Sequence, residues 1–161
     1  MLNSKEWIQK LKLTPHPEGG YFNEVYRSTE LINKSALPER YKSDRCFGTS
    51  IYFLLESGQF SSFHKLKSDE TWHFYYGIPI DIYILSVHGN LEIVTLGNNI
   101  FRGEQLQYTI PKNHWFGAAP RGDNHFSLVG CTVYPGFDFL DFELGNRKDL
   151  IKMFPYHTDV I

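Results

Sequence analysis

The chain has 161 residues, with 16 Lys plus Arg against 18 Asp plus Glu, so its charge is nearly balanced. This length predicts one domain, 1–161, that buries about 70% of its unfolded surface and is stable without disulfides. The basic residues are scattered, which argues against a nucleic-acid partner. The first residues are too polar for a secretory signal and the apolar runs too short to span a bilayer, so we expect a cytoplasmic protein without a membrane partner.

A short amphipathic helix is predicted over residues 4–13. Ser4 is a suitable N-cap, and three apolar side chains share one helical face. Residues 14–20 end the helix, because their two prolines and two glycines cannot continue it. Within this segment we interpret His16 and Glu18 as part of a rigid turn that leads into a strand. The alternative is that they form a polar rim over a pocket.

The pattern then becomes almost entirely β. A strand is predicted over residues 21–28, where Arg27 can pair with a carboxylate across a sheet or hold an anionic ligand. Residues 31–48 are polar and without a clear period, which is typical of a lid, an arm that contacts a partner or a mobile loop. Further strands are predicted over residues 49–55, 61–66, 70–76, 80–87, 91–96, 105–111, 126–134 and 137–144. Asn146 caps a last helix that runs to Phe154.

Residues 58–77 contain the main candidate site residues. Side chains alternate between faces along a strand, so His64 and Leu66 share one face of the first strand. Glu70 and Trp72 share one face of the next strand, and His73 points the other way. The two cysteines are far apart in sequence and without CxxC spacing, so we expect buried, reduced thiols.

We predict that the two strands within residues 58–77 form a hairpin. The spacing of its residues resembles the first motif of the cupin superfamily. Gly58, His64, Glu70 and Gly77 agree with that motif, whereas Leu66 stands in place of its second histidine. The second motif of the superfamily would align with Gly103, Pro111, Asn113 and Phe116, and of these only the proline fits cleanly. Phe116 occupies the position of the last metal-binding histidine.

The resemblance extends along nearly the whole chain. The segments 15–22 (PHPEGGYF), 69–77, 114–119 and 130–144 are similar to a small, single-domain cupin family sometimes called cupin five, which has no assigned biochemical function. The resemblance implies an all-β double-stranded β-helix, the cupin jelly-roll barrel, with a short helix at each terminus. It also implies a homodimer with a ligand-sized cavity inside the barrel. Some related cupins are sugar-nucleotide epimerases, which is an analogy of fold alone.

The metal site of the wider superfamily is expected to be incomplete. A centre of three histidines and one glutamate needs four converging ligands, and Leu66 and Phe116 supply none. Strand alternation turns His73 away, and His114 lies two positions before the required place. We therefore predict no metal and no cofactor.

Two interpretations of His64 and Glu70 stay open. They form a buried, hydrogen-bonded structural pair, or they act as acid and base in an apolar cavity. The aromatic side chains expected to wall that cavity are Trp72, Tyr83, Trp115 and Phe116.

The expected function is to bind a small polar metabolite, carbohydrate-like or nucleotide-like, with metal-independent isomerisation or epimerisation through His64 and Glu70. The alternatives are a binding protein without chemistry and, third, a metal-dependent cupin enzyme. Asp141 and Glu143 would repel each other on one strand face without a nearby cation such as Arg27, so we expect a structural, salt-bridged role for them.

Overall fold

A computed structural model describes residues 3–123 and 125–161. Its regular elements confirm the predicted all-β fold with a short helix at each terminus. In chain order they are α1 (Ser4–Lys10), β1 (Thr14–Pro15), β2 (Tyr21–Arg27), β3 (Leu31–Ile32), β4 (Arg45–Cys46), β5 (Thr49–Glu56), β6 (Ser61–Leu66), β7 (Asp69–Gly77), β8 (Ile80–Leu85), β9 (Leu91–Leu96), β10 (Gln107–Ile110), β11 (Trp115–Pro120), β12 (Phe126–Tyr134), β13 (Phe142–Leu144) and α2 (Arg147–Met153).

The strands form two antiparallel sheets that face each other. One sheet has the order β1-β2-β5-β12-β7-β10, and the other has the order β13-β6-β11-β8-β9. Non-consecutive neighbours, such as β12 between β5 and β7, show that the chain crosses between the sheets repeatedly, as in a jelly roll. The short β3 and β4 strands pair separately.

Most element boundaries agree with the sequence pattern; apart from the two-residue strands β1, β3 and β4, which were not predicted, three regions differ. The first helix is capped by Asn3 rather than Ser4, through a capping box with Glu6, and it ends at Lys10, earlier than predicted. Residues 137–144 divide into a 3-10 helix, Phe139–Asp141, and the short strand β13. Strand β11 was not predicted, because its sequence is rich in glycine and alanine, which have low β propensity.

Apolar side chains form three layers. The largest cluster lies between the sheets and includes Trp72 and Phe116. A second cluster packs under α1 on the outer face of the first sheet, and a third, with Trp115, packs under α2 on the outer face of the other sheet. Both cysteines are buried free thiols, as predicted. Among the residues described, no helix has the length and apolar character needed to cross a membrane.

Residues 31–48 are anchored to the barrel. Tyr41 is fully buried, and its hydroxyl lies 2.8 Å from the Ser68 hydroxyl. Arg45 is 2% exposed and donates two hydrogen bonds to the Asp141 carboxylate, of 2.6 and 2.8 Å. The cation expected beside Asp141 is therefore Arg45. Glu143 does not share that buried position, because its exposed carboxylate pairs with Lys65 instead.

Candidate functional site

A cavity of about 340 Å³ opens at one end of the barrel, between the two sheets. It lies where β5 begins and β12 ends, beyond the apolar cluster that fills the other end. The wall combines acidic, imidazole and aromatic side chains. Its lining residues are His16, Glu18, Phe22, Glu24, Arg27, Thr49, Ile51, His64, Leu66, Glu70, Cys131, Val133, Phe137, Asp138, Phe139 and Phe142.

The turn after β1 carries Glu18 into the barrel. Gly19 follows with a φ of 116°, a backbone conformation that side chains other than glycine rarely adopt, and a Cβ there would collide with the Phe60 carbonyl. The Glu18 carbonyl accepts a hydrogen bond of 2.8 Å from the amide of Ser62 on β6. These constraints bury Glu18, which is 7% exposed, beside that strand. The turn interpretation is thus correct for the backbone, but the side chain lines the cavity.

His64 is buried on β6 between two phenyl rings. Its ring centroid lies 4.1 Å from that of Phe116 and 5.3 Å from that of Phe142. Nδ1 lies 2.8 Å from the Ser62 carbonyl oxygen, and Nε2 lies 3.2 Å from Glu18 Oε2. Of the two interpretations of His64 and Glu70, the hydrogen-bonded pair is not found, because the turn after β1 brings Glu18 to the second imidazole nitrogen. His64 and Glu70 nevertheless lie near enough for the charge of each to affect the pKa of the other.

The Glu18 carboxyl and the His64 imidazole are in contact. Because a carbonyl cannot donate, Nδ1 of His64 carries a hydrogen, and Nε2 of the neutral ring lies 3.2 Å from the Glu18 carboxyl. Burial raises the pKa of Glu18 to about 8, although the Ser61 hydroxyl donates to it and opposes that rise. Burial also lowers the pKa of His64. At neutral pH the Glu18 carboxyl is therefore mainly protonated and the His64 ring mainly neutral.

Glu70 is a second buried carboxyl with a free oxygen. It is 8% exposed, and among the described residues its Oε2 has no hydrogen-bond partner. Burial raises the pKa of Glu70 to about 7. The nearby His64 opposes this rise, whereas the nearby Glu18 adds to it by a smaller amount. The Trp72 indole is near enough to lower this pKa slightly, but no hydrogen bond of normal length and angle joins the two groups.

His16 completes the buried polar group. Its Nδ1 accepts a hydrogen bond of 3.3 Å from the Glu18 amide, so the ring is neutral with its proton on Nε2. Burial and, to a smaller extent, the nearby His64 lower the pKa of His16 to about 4. The ring stands at 88° to Phe22, with 4.6 Å between centroids.

At the mouth of the cavity lie a guanidinium that is already hydrogen-bonded to the protein and a group of aromatic rings. Arg27 donates two hydrogen bonds to Glu24 on its own strand, of 2.9 and 2.7 Å, and a third of 3.1 Å to the Phe137 carbonyl. It therefore pairs along its strand rather than across the sheet. Phe139 and Phe142 stand beside Phe137 at this edge.

The four predicted wall residues do not lie together. Trp72 and Phe116 point between the sheets, and both contact the buried end of the site. Trp115 points out of the barrel and packs under α2, because neighbouring residues on β11 face opposite sides. Tyr83 also points outward, beside Gly117, in a separate groove near the C-terminal segment. The expectation that Trp115 and Tyr83 wall the cavity is therefore wrong.

Of the sixteen lining residues, only Arg27, His64 and Glu70 were predicted as catalytic or ligand-binding; those missed include five residues, namely His16 and Glu18, considered only as a rim over a pocket, and Phe137, Phe139 and Phe142. All five lie in the segments 15–22 and 130–144, which carry the strongest family resemblance. The family resemblance of these two segments was therefore the sequence signal that could have identified the five residues.

The side chains present do not fit a metal ion of the cupin type. Within residues 3–123 and 125–161, no group of three or more His, Cys, Asp or Glu is arranged to hold one. Phe116 pairs directly opposite His64 across the sheet, and Leu66 takes the next inward position. His73 lies 3.1 Å from the Thr132 hydroxyl, away from the cavity, and His114 interacts with the Lys112 carbonyl.

Treatment with a strong chelator is expected to leave the Tm unchanged, because the donors do not converge on a common point. Thermal unfolding followed by circular dichroism before and after chelation measures this. Addition of zinc, nickel or iron to the treated protein serves as the control. A fall of many degrees that one of these metals restores would contradict the prediction.

The free energy of unfolding is expected to fall between pH 6.5 and 8. The folded protein keeps protons on Glu70 and Glu18, with pKa values of about 7 and 8, that the unfolded chain has already released. This contribution to stability is lost as pH rises through those folded values. His16 and His64, whose pKa values are lowered, affect stability only below their unfolded value of 6.5.

The expected loss over this window is about 2 kcal/mol, measured by urea unfolding at each pH. Glu18→Gln should remove most of the slope, because an amide does not titrate. Glu39→Gln, at an exposed position outside the cavity, is the matched control and should keep it. A slope that is equal in all three proteins would show that the buried carboxyls do not cause it.

Comparison with known proteins identifies one family and several similar structures. The family model Cupin_5, described as cupin superfamily (DUF985), matches residues 5–145. A crystal structure from Shewanella oneidensis is 41% identical, with a TM-score of 0.90, and the match covers 99% of this chain and 95% of that one. A hypothetical protein from Leishmania major is 35% identical, with a TM-score of 0.89 and coverages of 99% and 97%.

More distant structures share the fold alone. Oxalate decarboxylase from Bacillus subtilis is 15% identical with a TM-score of 0.56, and the match covers 91% of this chain and 35% of that one. A cupin 2 domain-containing protein from Halorhodospira halophila is also 15% identical, with a TM-score of 0.58 and coverages of 92% and 86%. No curated protein gives a significant match.

Proposed function

Because the chain belongs to the Cupin_5 family (DUF985) of the cupin superfamily, we propose that it binds a small polar metabolite in the barrel cavity and isomerises or epimerises it without a metal. The volume of about 340 Å³ is near the lower end for ligand pockets, which suits a monosaccharide-sized molecule. A nucleotide-like ligand would extend through the mouth.

One observation carries the proposal. Glu70 lines the cavity and has a buried carboxyl oxygen without a hydrogen-bond partner among the described residues, and the contacting Glu18 and His64 side chains line the same cavity. Acid and base groups work best when their pKa values lie near the working pH, and burial brings both carboxyls there. Glu70 has an oxygen without a hydrogen-bond partner, whereas Glu18 accepts a hydrogen bond from Ser61. Two carboxyls in such different environments can act as the base and the acid of one reaction.

The chemistry needs only proton transfer. Ionised Glu70 takes a proton from a carbon next to a carbonyl of the substrate, and the Glu18 carboxyl donates its proton to the carbonyl oxygen, which gives an enol. For isomerisation Glu70 returns the proton to the neighbouring carbon, and for epimerisation the enol turns over in the cavity before Glu70 returns the proton to the same carbon. The carboxyl of Glu18 is restored in the same step, so the protein ends unchanged. His64 holds Glu18 in position through Nε2.

A second candidate is a binding protein without chemistry. Ser61, Ser62 and His64 satisfy much of the hydrogen bonding of Glu18, as in a structural network. Such a network keeps buried polar groups paired whether or not a reaction occurs.

Native mass spectrometry of freshly purified protein, followed by incubation of any retained metabolite in D₂O, distinguishes the two. The proposed enzyme should incorporate deuterium at one carbon of the metabolite, detected by NMR, because Glu70 exchanges its proton with solvent. A metabolite that binds in the cavity without any exchange would favour the binding protein. Absence of both binding and exchange for small sugars and related carbonyl compounds would refute the proposal.

A further inference from the structure

We infer that the cavity selects a metabolite that carries an ammonium group, such as an amino sugar, over neutral and anionic relatives. This inference rests on the proposed function, because it identifies the class of ligand for the same cavity. Three independent features support it: an aromatic corner at the mouth, the balance of charge along the wall, and the oxygen of Glu70 that has no partner.

The aromatic corner consists of Phe137, Phe139 and Phe142. Their rings stand at 81°, 67° and 78° to one another, with centroids 5.0 to 6.2 Å apart. All three line the cavity, so a ligand there meets aromatic surfaces in different orientations. Aromatic faces attract cations through the negative charge of the ring face, and several rings around one group are typical of ammonium recognition.

The charged groups along the wall favour a cation. Glu24 and Asp138 lie at the mouth with Arg27, which leaves one net negative charge even when Glu18 and Glu70 are both protonated. Ionisation of those two carboxyls makes the wall more negative. The two histidines of the wall are neutral at pH 7, so they add no positive charge.

An anion finds no free cation among the residues that line the cavity. Arg27 is the single guanidinium there, and it already donates to both oxygens of Glu24 and to the Phe137 carbonyl. To bind a phosphate, Arg27 would have to leave these partners and expose the Glu24 carboxylate to the same phosphate. Repulsion between the two anions would then reduce the gain.

Glu70 supplies the buried partner for the ammonium group: one carboxylate oxygen pairs with the cation, and the other stays available to take the proton from carbon. Glu70 lines the cavity, its Oε2 has no hydrogen bond from the described residues, and a carboxylate and an ammonium form a charge-assisted hydrogen bond. Binding of a cation stabilises ionised Glu70 in the presence of its neighbours Glu18 and His64. It should therefore release protons when the complex forms near neutral pH.

Isothermal titration with two matched pairs of probes tests the inference: glucosamine against glucose, and choline against its uncharged carbon analogue dimethylbutanol. The charged member of each pair should bind at least about tenfold more tightly. Titration in two buffers of different ionisation enthalpy should show proton release with the charged probes only. Inorganic phosphate is the anionic probe and should not bind in the cavity.

Conservative variants test which residues cause the preference for the charged probes. Asp138→Asn removes one charge at the mouth but keeps an oxygen that accepts from the Leu140 amide, so the local cap is retained. Phe139→Leu removes one ring at a position that is 58% exposed, where folding tolerates the change. Each should weaken glucosamine binding about threefold or more. Asp149→Asn makes the same charge change on α2, outside the cavity, and should have no effect.

Equal binding of the charged and neutral probes overturns the inference, and so does binding of phosphate or neutral sugars without the cations. A lack of binding by every probe also overturns it. The proposed function is judged separately, by deuterium exchange in the metabolite that the protein retains. A neutral metabolite that exchanges deuterium would therefore support the enzyme and refute the ammonium preference.

Discussion

Replacement of Arg45 by methionine is expected to lower the free energy of unfolding by about 3 kcal/mol, because it leaves the Asp141 carboxylate buried without its partner. Removal of one partner from a buried ion pair costs about 3–5 kcal/mol. The lower end of this range applies, because the Arg45 guanidinium is shielded from solvent but lies close to the protein surface. Lys67 is 3.4 Å from the same carboxylate and compensates in part. Urea unfolding at pH 7 measures the change.

Arg27→Met is the matched control, since it removes the same group from a pair with Glu24 that is partly exposed. Such pairs contribute about 0–1 kcal/mol. The double variant Arg45→Met, Asp141→Leu should recover part of the lost stability, because it removes both buried charges. If Arg45→Met costs no more than Arg27→Met, then the buried pair does not anchor residues 31–48 to the barrel.

Replacement of Glu70 by glutamine is expected to reduce turnover of the metabolite by about 10²–10⁴-fold, because an amide cannot accept the proton. The fold should be retained, since glutamine has nearly the same shape and the native carboxyl is already half protonated near pH 7. Deuterium incorporation under single-turnover conditions measures the rate, and thermal unfolding measures the stability.

His64→Gln is the comparison that separates the roles. His64 contacts Glu18 and the Ser62 carbonyl, so this variant should lose stability as well as activity. Glu70→Gln should lose activity alone. If both variants are less stable and the unmodified protein has no activity, the result would support a structural role for the buried groups. Equal activity of Glu70→Gln and the unmodified protein would exclude Glu70 as the base.

Strands β6 and β7 could be predicted from sequence almost residue by residue, but the hairpin expected from their short connection is wrong, because the two strands lie in opposite sheets. Side chains alternate along both strands, so the inward position of His64, Leu66, Glu70 and Trp72 followed from the period of two. The cupin spacing identified the same residues. Local periodicity is sufficient here because each strand is half buried and each turn is short.

The partner of His64 could not be predicted in this way. Glu18 lies 46 residues earlier in the sequence, and its approach depends on a turn geometry and on pairing with Ser62 that no local pattern encodes. The error for Trp115 has a different cause. Because β11 was not recognised as a strand, its alternation was not applied, although Trp115 and Phe116 cannot both face inward.

The two sides of the cavity differ in how the backbone is held, which has a consequence for amide hydrogen exchange. The β12 side is paired on both edges, by β5 and β7, whereas the aromatic corner lies on the short segment between β12 and β13. We expect β12 amides to exchange only through global unfolding and those near Phe139 through local opening. For the proposed metabolite, entry can then proceed by brief displacement of the aromatic corner while Glu70, on the strand β7 that pairs with β12, stays in place.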